Sequence, residues 1–399
     1  MKPAPLSITQ GRMGLFTPGI RSKKLGATKN RLEFAEALQK LGWNCEVITA
    51  TELAQTYHLQ GRFPQPSFMT AYAESLKAHL QANKGTYNAV LYEADSLPFD
   101  RKLFDQDCLM IARPALLWYQ RDRVQIPEQL KWTSRLKRWL KGPQEQKRQA
   151  HLRWTQEKTM LEADLVQVQN DWDKKVLIEK GFDPNCILVV PNGITPERRA
   201  LFDQSRSTHA DALKIAFVGT FDFRKGATDF GDIFRRIRSF LPEARLKLMG
   251  TKGMFQTPAE VLAFFTGEDQ PYVEVIPAFE PNELPTLLAD CALGLFPSYW
   301  ESFGYGALEM MAASLPVLAY RSPGPAMFVP EDWQVAPGDT HAMALKAVHL
   351  LKDSQQLVLA RSQAHSQSLS YQWEDIARQA LADYQVHFSA PLISTVNYG

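Results

Sequence analysis

Cysteine is scarce in this 399-residue chain. None of the four, Cys45, Cys108, Cys186 and Cys291, lies at Cys-x-x-Cys spacing from another. That spacing leaves no cysteine-built zinc or redox motif. Three of them sit in or beside apolar runs, as buried free thiols of a reducing compartment do. No stretch of about 18 apolar residues occurs, so no helix is expected to span a bilayer. Residues 1–16 mix prolines with polar and scattered apolar residues, which is unlike a secretory signal. An excess of charge is also missing. Lys and Arg number 45 against 43 Asp and Glu, a formal net charge of +2, which gives no bulk attraction to nucleic acid. The eight histidines form no ligand cluster, and no metal site is expected. The chain has no low-complexity segment and no short internal repeat. It is expected to work in the cytoplasm.

What is present is an ordinary globular composition, 45% hydrophobic and 22% charged, in a chain long enough for two domains. Short apolar runs alternate with amphipathic stretches. Leu32, Ala35, Leu38 and Leu41 mark a helix over 32–41, ended by Gly42. Strands are expected at 45–49, 89–92, 108–112, 165–168 and 187–190, the last closed by the turn Pro191-Asn192-Gly193. The second half repeats the pattern, with strands at 214–218, 245–249, 273–276, 292–296 and 316–320. Helices are expected there at 229–240, 304–313, 341–352 and 374–388. Alternation of this kind implies parallel sheets with helices on both faces. The expected fold is α/β, two Rossmann-like domains facing a central cleft. Residues 1–193 form the first domain and 194–375 the second, while 376–399 form a helix and tail that return toward the first.

Two segments carry chemistry. In Pro297-Ser298-Tyr299-Trp300-Glu301-Ser302-Phe303-Gly304-Tyr305-Gly306-Ala307-Leu308-Glu309, a strand is followed by a glycine loop and then a helix. Ligands of open α/β sheets bind outside such strand ends. Gly304 and Gly306 let backbone approach a ligand, and the helix start offers amides to an anion. Glu301 and Glu309 can accept paired hydrogen bonds from sugar hydroxyls. Taken alone, the segment is equally a glycine-started amphipathic helix with solvated glutamates. A glycosidase acid pair fits worse, because eight helical residues rise about 12 Å, beyond the roughly 5–9.5 Å hydrolysis requires. The second segment, Gly219-Thr220-Phe221-Asp222-Phe223-Arg224-Lys225-Gly226, puts two cations after a strand-end glycine. Preorganised cations stabilise the charge that gathers on a departing diphosphate. Lys225 is the candidate for that role, with Arg224 as helper; alone, Arg-Lys-Gly also reads as a solvated turn.

Both segments on matching strand ends of one domain resemble the retaining glycosyltransferases of family four, which have the GT-B fold. Glu301 and Glu309 reproduce that family's Glu-seven-residues-Glu signature, and Gly219 with Lys225-Gly226 keeps the spacing of its diphosphate loop. Ala163-Asp164-Leu165-Val166, Val190-Pro191-Asn192-Gly193, Gly250, 275–288 and Pro316-Val317-Leu318-Ala319 follow in the family's order, so the likeness covers about 160–385. The resemblance implies a nucleotide-diphosphate-sugar donor and no metal or other cofactor. It implies that Glu309 holds the donor ribose, Glu301 the donor sugar and Lys225 the diphosphate. Amides around Ser302, Phe303, Gly304 and Tyr305, with Gly219 and Thr220, complete the donor site. The acceptor would be a glycan, a lipid or a small molecule.

The chain also departs from that pattern. Thr220 stands where the family commonly has an arginine, Ser314 where a glycine is usual, and Ser322-Pro323-Gly324-Pro325 replaces a glycine-glycine turn. No histidine follows a first-half strand. One such strand leads instead into Glu93-Ala94-Asp95 and another into Arg113-Pro114, which makes Glu93, Asp95 and Arg113 acceptor-side candidates. Arginine cannot serve as a base near neutrality but can hold a phosphate or carboxylate. Gly26-Ala27-Thr28 resembles the family's first-domain glycine loop in reduced form, or else Thr28 caps a helix. The basic and aromatic stretch 131–141 either lies on an anionic membrane at the inner face or packs its tryptophans inward. Rival functions are a sugar-nucleotide epimerase or phosphorylase on the same fold, and a non-catalytic sugar-nucleotide or glycan binder.

Overall fold

The computed structural model describes residues 10–23, 26–57, 66–127, 132–205 and 213–388. The side chains of 26–27, 66 and 132–145 lie outside that description. Within it the chain is α/β, with two six-stranded parallel sheets. The first holds β1 (Arg12–Thr17), β2 (Asn44–Thr49), β3 (Ala89–Glu93), β4 (Leu109–Arg113), β5 (Leu165–Val168) and β6 (Ile187–Val189), in the order β2-β1-β3-β4-β5-β6. The second holds β7 (Lys214–Val218), β8 (Arg245–Met249), β9 (Val273–Ile276), β10 (Leu293–Phe296), β11 (Val317–Tyr320) and β12 (Gln334–Val335), in the order β12-β11-β10-β7-β8-β9. β3 and β4 are buried at every position, as strands covered on both faces must be, which is why they read as apolar runs up to the charged residue that ends each.

The strand order locates the site. β7 lies between β8 and β10, so the chain leaves it first toward one edge and later resumes on its other side. Such a reversal opens a crevice at the carboxyl ends of the two strands flanking it. The loops after β7 and β10 are the two segments singled out by sequence.

The last helix, Trp373–Phe388, covers the first sheet rather than the second. Its stripe of Trp373, Ile376, Ala377, Ala380, Leu381 and Tyr384 is buried with Met13, Leu15, Phe34 and Leu38, and Trp373 meets the Phe34 ring at 5.7 Å. Burying a side chain such as Ile376 or Leu381 is worth about 1.5–3 kcal/mol. The crossing is pinned where Ile194 N–H donates to the Tyr371 carbonyl at 2.9 Å and Trp373 N–H to the Ile194 carbonyl at 3.3 Å.

Several expectations change. β1 was not foreseen, because Gly11 and Gly14 interrupt its apolar pattern, yet it is the strand at the first sheet's reversal. Gly14 is needed there, since a Cβ would lie 2.7 Å from the Phe16 ring. The first helix runs Gly26–Lys40, so Thr28 lies inside it and is no cap. The stretch 132–141 belongs to a helix, Trp132–Leu161, but its side chains lie outside the described residues, and so does any membrane contact through them. Among the described residues no helix is long and apolar enough to cross a membrane.

Ser314 stands at the end of the signature helix with φ 64°, the non-glycine residue with positive φ among those described. Its hydroxyl is buried without a partner. Only glycine adopts this conformation without strain. Ser314→Gly is therefore expected to stabilise the folded protein by about 1 kcal/mol, read from the urea midpoint at unchanged slope. A lower midpoint would contradict it.

Candidate active site

The cleft between the halves has a volume of about 730 Å³. Its second-half wall starts at β7, where Gly219, with φ 150°, turns the chain. Asp222 accepts from the Lys225 backbone N–H at 3.0 Å and caps a short helical turn, Phe223–Lys225. That turn ends at Gly226, whose φ is 80° and whose Cβ, if present, would lie 2.3 Å from the Pro297 carbonyl. The cationic loop is thereby pressed onto the loop after β10. There Gly304, with φ 86°, starts the helix Tyr305–Ala312. A Cβ on Gly306 would lie 2.1 Å from the Val218 carbonyl. Gly306 is thus required for packing this helix on β7, and it also lines the cleft. Gly324 has a comparable role, its Cβ position lying 2.3 Å from Phe303 Cα.

Both signature glutamates line the cleft and each is held by two cations through a single oxygen. Lys225 Nζ lies 2.6 Å and Arg224 3.0 Å from Glu301 Oε1. Lys29 Nζ lies 2.6 Å from Glu309 Oε1, to which Arg198 also donates. Burial pushes both carboxyls up, but the paired cations outweigh it and hold both below the usual carboxylate range. Each therefore stays an ionised, acceptor-only group near neutrality, with Oε2 outside both cation pairs. Burial likewise works against the Arg224 cation, and Glu301 together with Asp222 more than offsets it. Arg224 also donates to the Trp300 carbonyl at 2.8 Å, so it braces the loop that carries Glu301.

The remaining expected residues divide. Gly219, Thr220, Ser302, Phe303, Gly304 and Tyr305 line the cleft, with the Thr220 hydroxyl bonded to Asp222 at 2.9 Å. The loop is tied to the first half: Ser302 donates to the Ala115 carbonyl at 2.7 Å and accepts from Asn170 at 2.7 Å. Tyr305 Oη lies 2.5 Å from Glu33 and 2.6 Å from the Gly193 carbonyl. Gly26 opens the first helix and its contacts lie outside the described residues, while Lys23 and Lys29 on either side line the cleft. Glu93 and Arg113, the ends of β3 and β4, also line it, but Asp95 does not. The chain turns after Glu93, with the Ser96 N–H bonded to the Glu93 carbonyl at 3.0 Å. That turn takes Asp95 off the cleft, where burial and then the Glu93 charge raise its pKa to about 6. Glu93 and Arg113 are thus the two acceptor-side candidates that line the cleft.

Lys29 and Arg198 were missed. Thr195, Pro196 and Glu197 mark the start of the helix Pro196–Gln204 that carries Arg198, but no local signal pairs either cation with Glu309. Among the described residues no group of three or more His, Cys, Asp or Glu could hold a metal.

A family model described as glycosyl transferases group 1 matches residues 212–353. The D-inositol 3-phosphate glycosyltransferase of Nocardioides sp. is 27% identical over 254 residues, 58% of this chain and 55% of that protein. Sulfoquinovosyl transferase SQD2 of Arabidopsis thaliana is 28% identical over 148 residues, 36% of this chain and 28% of that one. The chain thus spans about half or less of these curated relatives. Sucrose-phosphate synthase from Thermosynechococcus elongatus superposes with TM-score 0.71 at 18% identity, over 95% of this chain and 100% of that one. Anabaena HepE, solved in complex with UDP and glucose, gives 0.62 at 15% identity over 94% and 98%. At those identities the likeness is one of fold. Residues 212–353 thus match the glycosyl transferases group 1 model, within a chain that has the two-domain GT-B fold of these solved structures.

Proposed function

We propose that the protein transfers a sugar, with retention and without a metal, from a nucleotide diphosphate donor to an acceptor hydroxyl. The observation that carries this reading is the doubled arrangement in one cleft: two buried glutamates, each with one oxygen held by a Lys-Arg pair. A carboxylate fixed in this way offers its second oxygen to hydroxyl donors, Glu309 to the ribose and Glu301 to the transferred sugar. The diphosphate would lie between Lys225, Arg224 and the amides that open the helix Tyr305–Ala312. As the sugar–phosphate bond breaks, the leaving oxygen gains charge, which Lys225 and those amides stabilise. That same phosphate oxygen takes the proton of the acceptor hydroxyl as it attacks the sugar on the face the leaving group vacates. No first-half base is then required, which fits the absence of a histidine at the ends of β3 and β4. The HepE structure with UDP and glucose supports a nucleotide-sugar donor for a chain of this fold.

The test is a thermal-shift screen of the full-length protein against uridine, guanosine and adenosine diphosphates and their sugars. One nucleotide series is expected to raise the melting temperature, since a ligand at a hundred times its Kd stabilises by about 2.7 kcal/mol. Glycosyl transfer or slow donor hydrolysis then separates an enzyme from a binder. If none of the three series stabilises the protein, the proposed donor site is wrong.

A further inference from the structure

The first-half wall of the cleft carries a second concentration of positive charge, which pairs with neither signature glutamate. Arg31, on the helix Gly26–Lys40, and Arg113, the last residue of β4, both line the cleft and are each 2% exposed. Glu93 is the one carboxylate from the first half that lines it, among the described residues. Arg31 donates to Glu93 Oε1 at 3.0 Å. Arg113 donates to Asn192 Oδ1 at 2.7 Å, a neutral amide that is itself held by Gln169, to which it donates at 3.0 Å. Glu93 therefore pairs with Arg31 alone, and Arg113 has a neutral amide rather than a carboxylate as its partner.

The strain of that arrangement shows in three places. Arg113 holds its proton less firmly than a free arginine, with a pKa lowered to about 9, first by burial and then by the neighbouring Arg31 charge. Nε of Arg31, Nε of Arg113 and Oε2 of Glu93 are all buried without a hydrogen-bond partner. An unpaired buried polar group costs about 1–3 kcal/mol, and an uncompensated buried charge costs more. A cluster serving only to hold the fold would be served better by apolar side chains. Lys225, Arg224 and the helix start belong to the opposite wall, so the excess charge here is not answered by the diphosphate. A guanidinium fork matches the oxygens of a phosphate or carboxylate, and an anion beside Arg113 would supply its missing counter-charge.

We propose that Arg31 and Arg113 form an oxyanion subsite for the acceptor, which therefore carries a phosphate or carboxylate group close to the hydroxyl that receives the sugar. The assignment to the acceptor rests on the donor reading above; the subsite itself does not. Glu93, with an unused oxygen in the same cluster, adds an acceptor for a hydroxyl of that molecule.

The experiment uses full-length protein with UDP, GDP or ADP present in turn, so that the donor diphosphate site is filled. Inorganic phosphate, glycerol 3-phosphate, glycerate and glycerol are then titrated by calorimetry, with thermal shift as a second readout. The charged probes are expected to bind and raise the melting temperature, while glycerol does neither. Tighter binding of glycerol 3-phosphate than glycerate assigns a phosphate ester, and the reverse a carboxylate. Arg113→Gln, which leaves the Arg31–Glu93 pair in place, should weaken the preferred probe by about tenfold or more, and Arg113→Lys by less. Absence of anion binding to the unaltered protein overturns the subsite, as does equal affinity in Arg113→Gln. Failure of all three nucleotides to bind would instead remove the donor reading and leave the anion titration interpretable by itself.

Discussion

Lys225→Ala is expected to lower kcat by about a hundredfold to a thousandfold while changing donor affinity much less. The ammonium group stabilises charge that exists mainly after the sugar–phosphate bond begins to break, so its loss is felt in the transition state more than in the bound ground state. The fold should survive the change. Glu301 keeps its contact with Arg224 at 3.0 Å, so its carboxylate is not left alone in the interior. Turnover and donor Kd measured on the same preparation decide the matter. A fall in affinity as large as the fall in kcat would make Lys225 a binding residue only.

Glu309→Ala should show the opposite division. The proposed ribose contact is made equally before and during the reaction, so donor affinity is expected to fall about tenfold to a hundredfold for the loss of charge-assisted bonds, with a smaller effect on kcat. A second effect accompanies it. Lys29 and Arg198, whose side chains are 8% and 7% exposed, lose their shared counter-ion. Breaking a buried pair by removing one partner costs about 3–5 kcal/mol. Urea unfolding of Glu309→Ala, Lys29→Ala and the double variant should show a double loss smaller than the sum of the single ones. Additive losses would mean that the pair contributes no coupling. The pH dependence has a definite sign. Because Glu309 is held below its unfolded value, its stabilisation is fully present above the ordinary carboxylate range. It is lost as pH falls through the lower folded value, and Glu309→Gln should remove that dependence.

The second half was legible because its chemistry is local. Gly219, Lys225, Glu301 and Glu309 sit in two continuous segments, and the strands before them are mostly apolar. Even there, the sequence did not show that Glu301 and Lys225 touch, or that Gly306 is needed against the Val218 carbonyl. What stayed hidden depends on separation along the chain. Lys29 and Glu309 are 280 positions apart, and nothing near either residue names the other. β1 was obscured for a different reason. It is a strand because β2 and β3 flank it, while its own Gly14 and the Gly11 before it argue against one. Asp95 does not line the cleft, because the turn after Glu93 carries it away, a change of direction that residue types alone do not encode. Ser314 was visible as a departure from a family pattern, and its φ of 64° supplies the physical meaning.

The return of the final helix to the first sheet affects how the protein is made. During synthesis, Met13, Leu15, Phe34 and Leu38 emerge well before the surface that covers them, Trp373 to Tyr384. The nascent first half therefore waits with one apolar face bare through the translation of the entire second half. Exposed apolar surface of this kind is what chaperones bind and what drives aggregation when they are lacking.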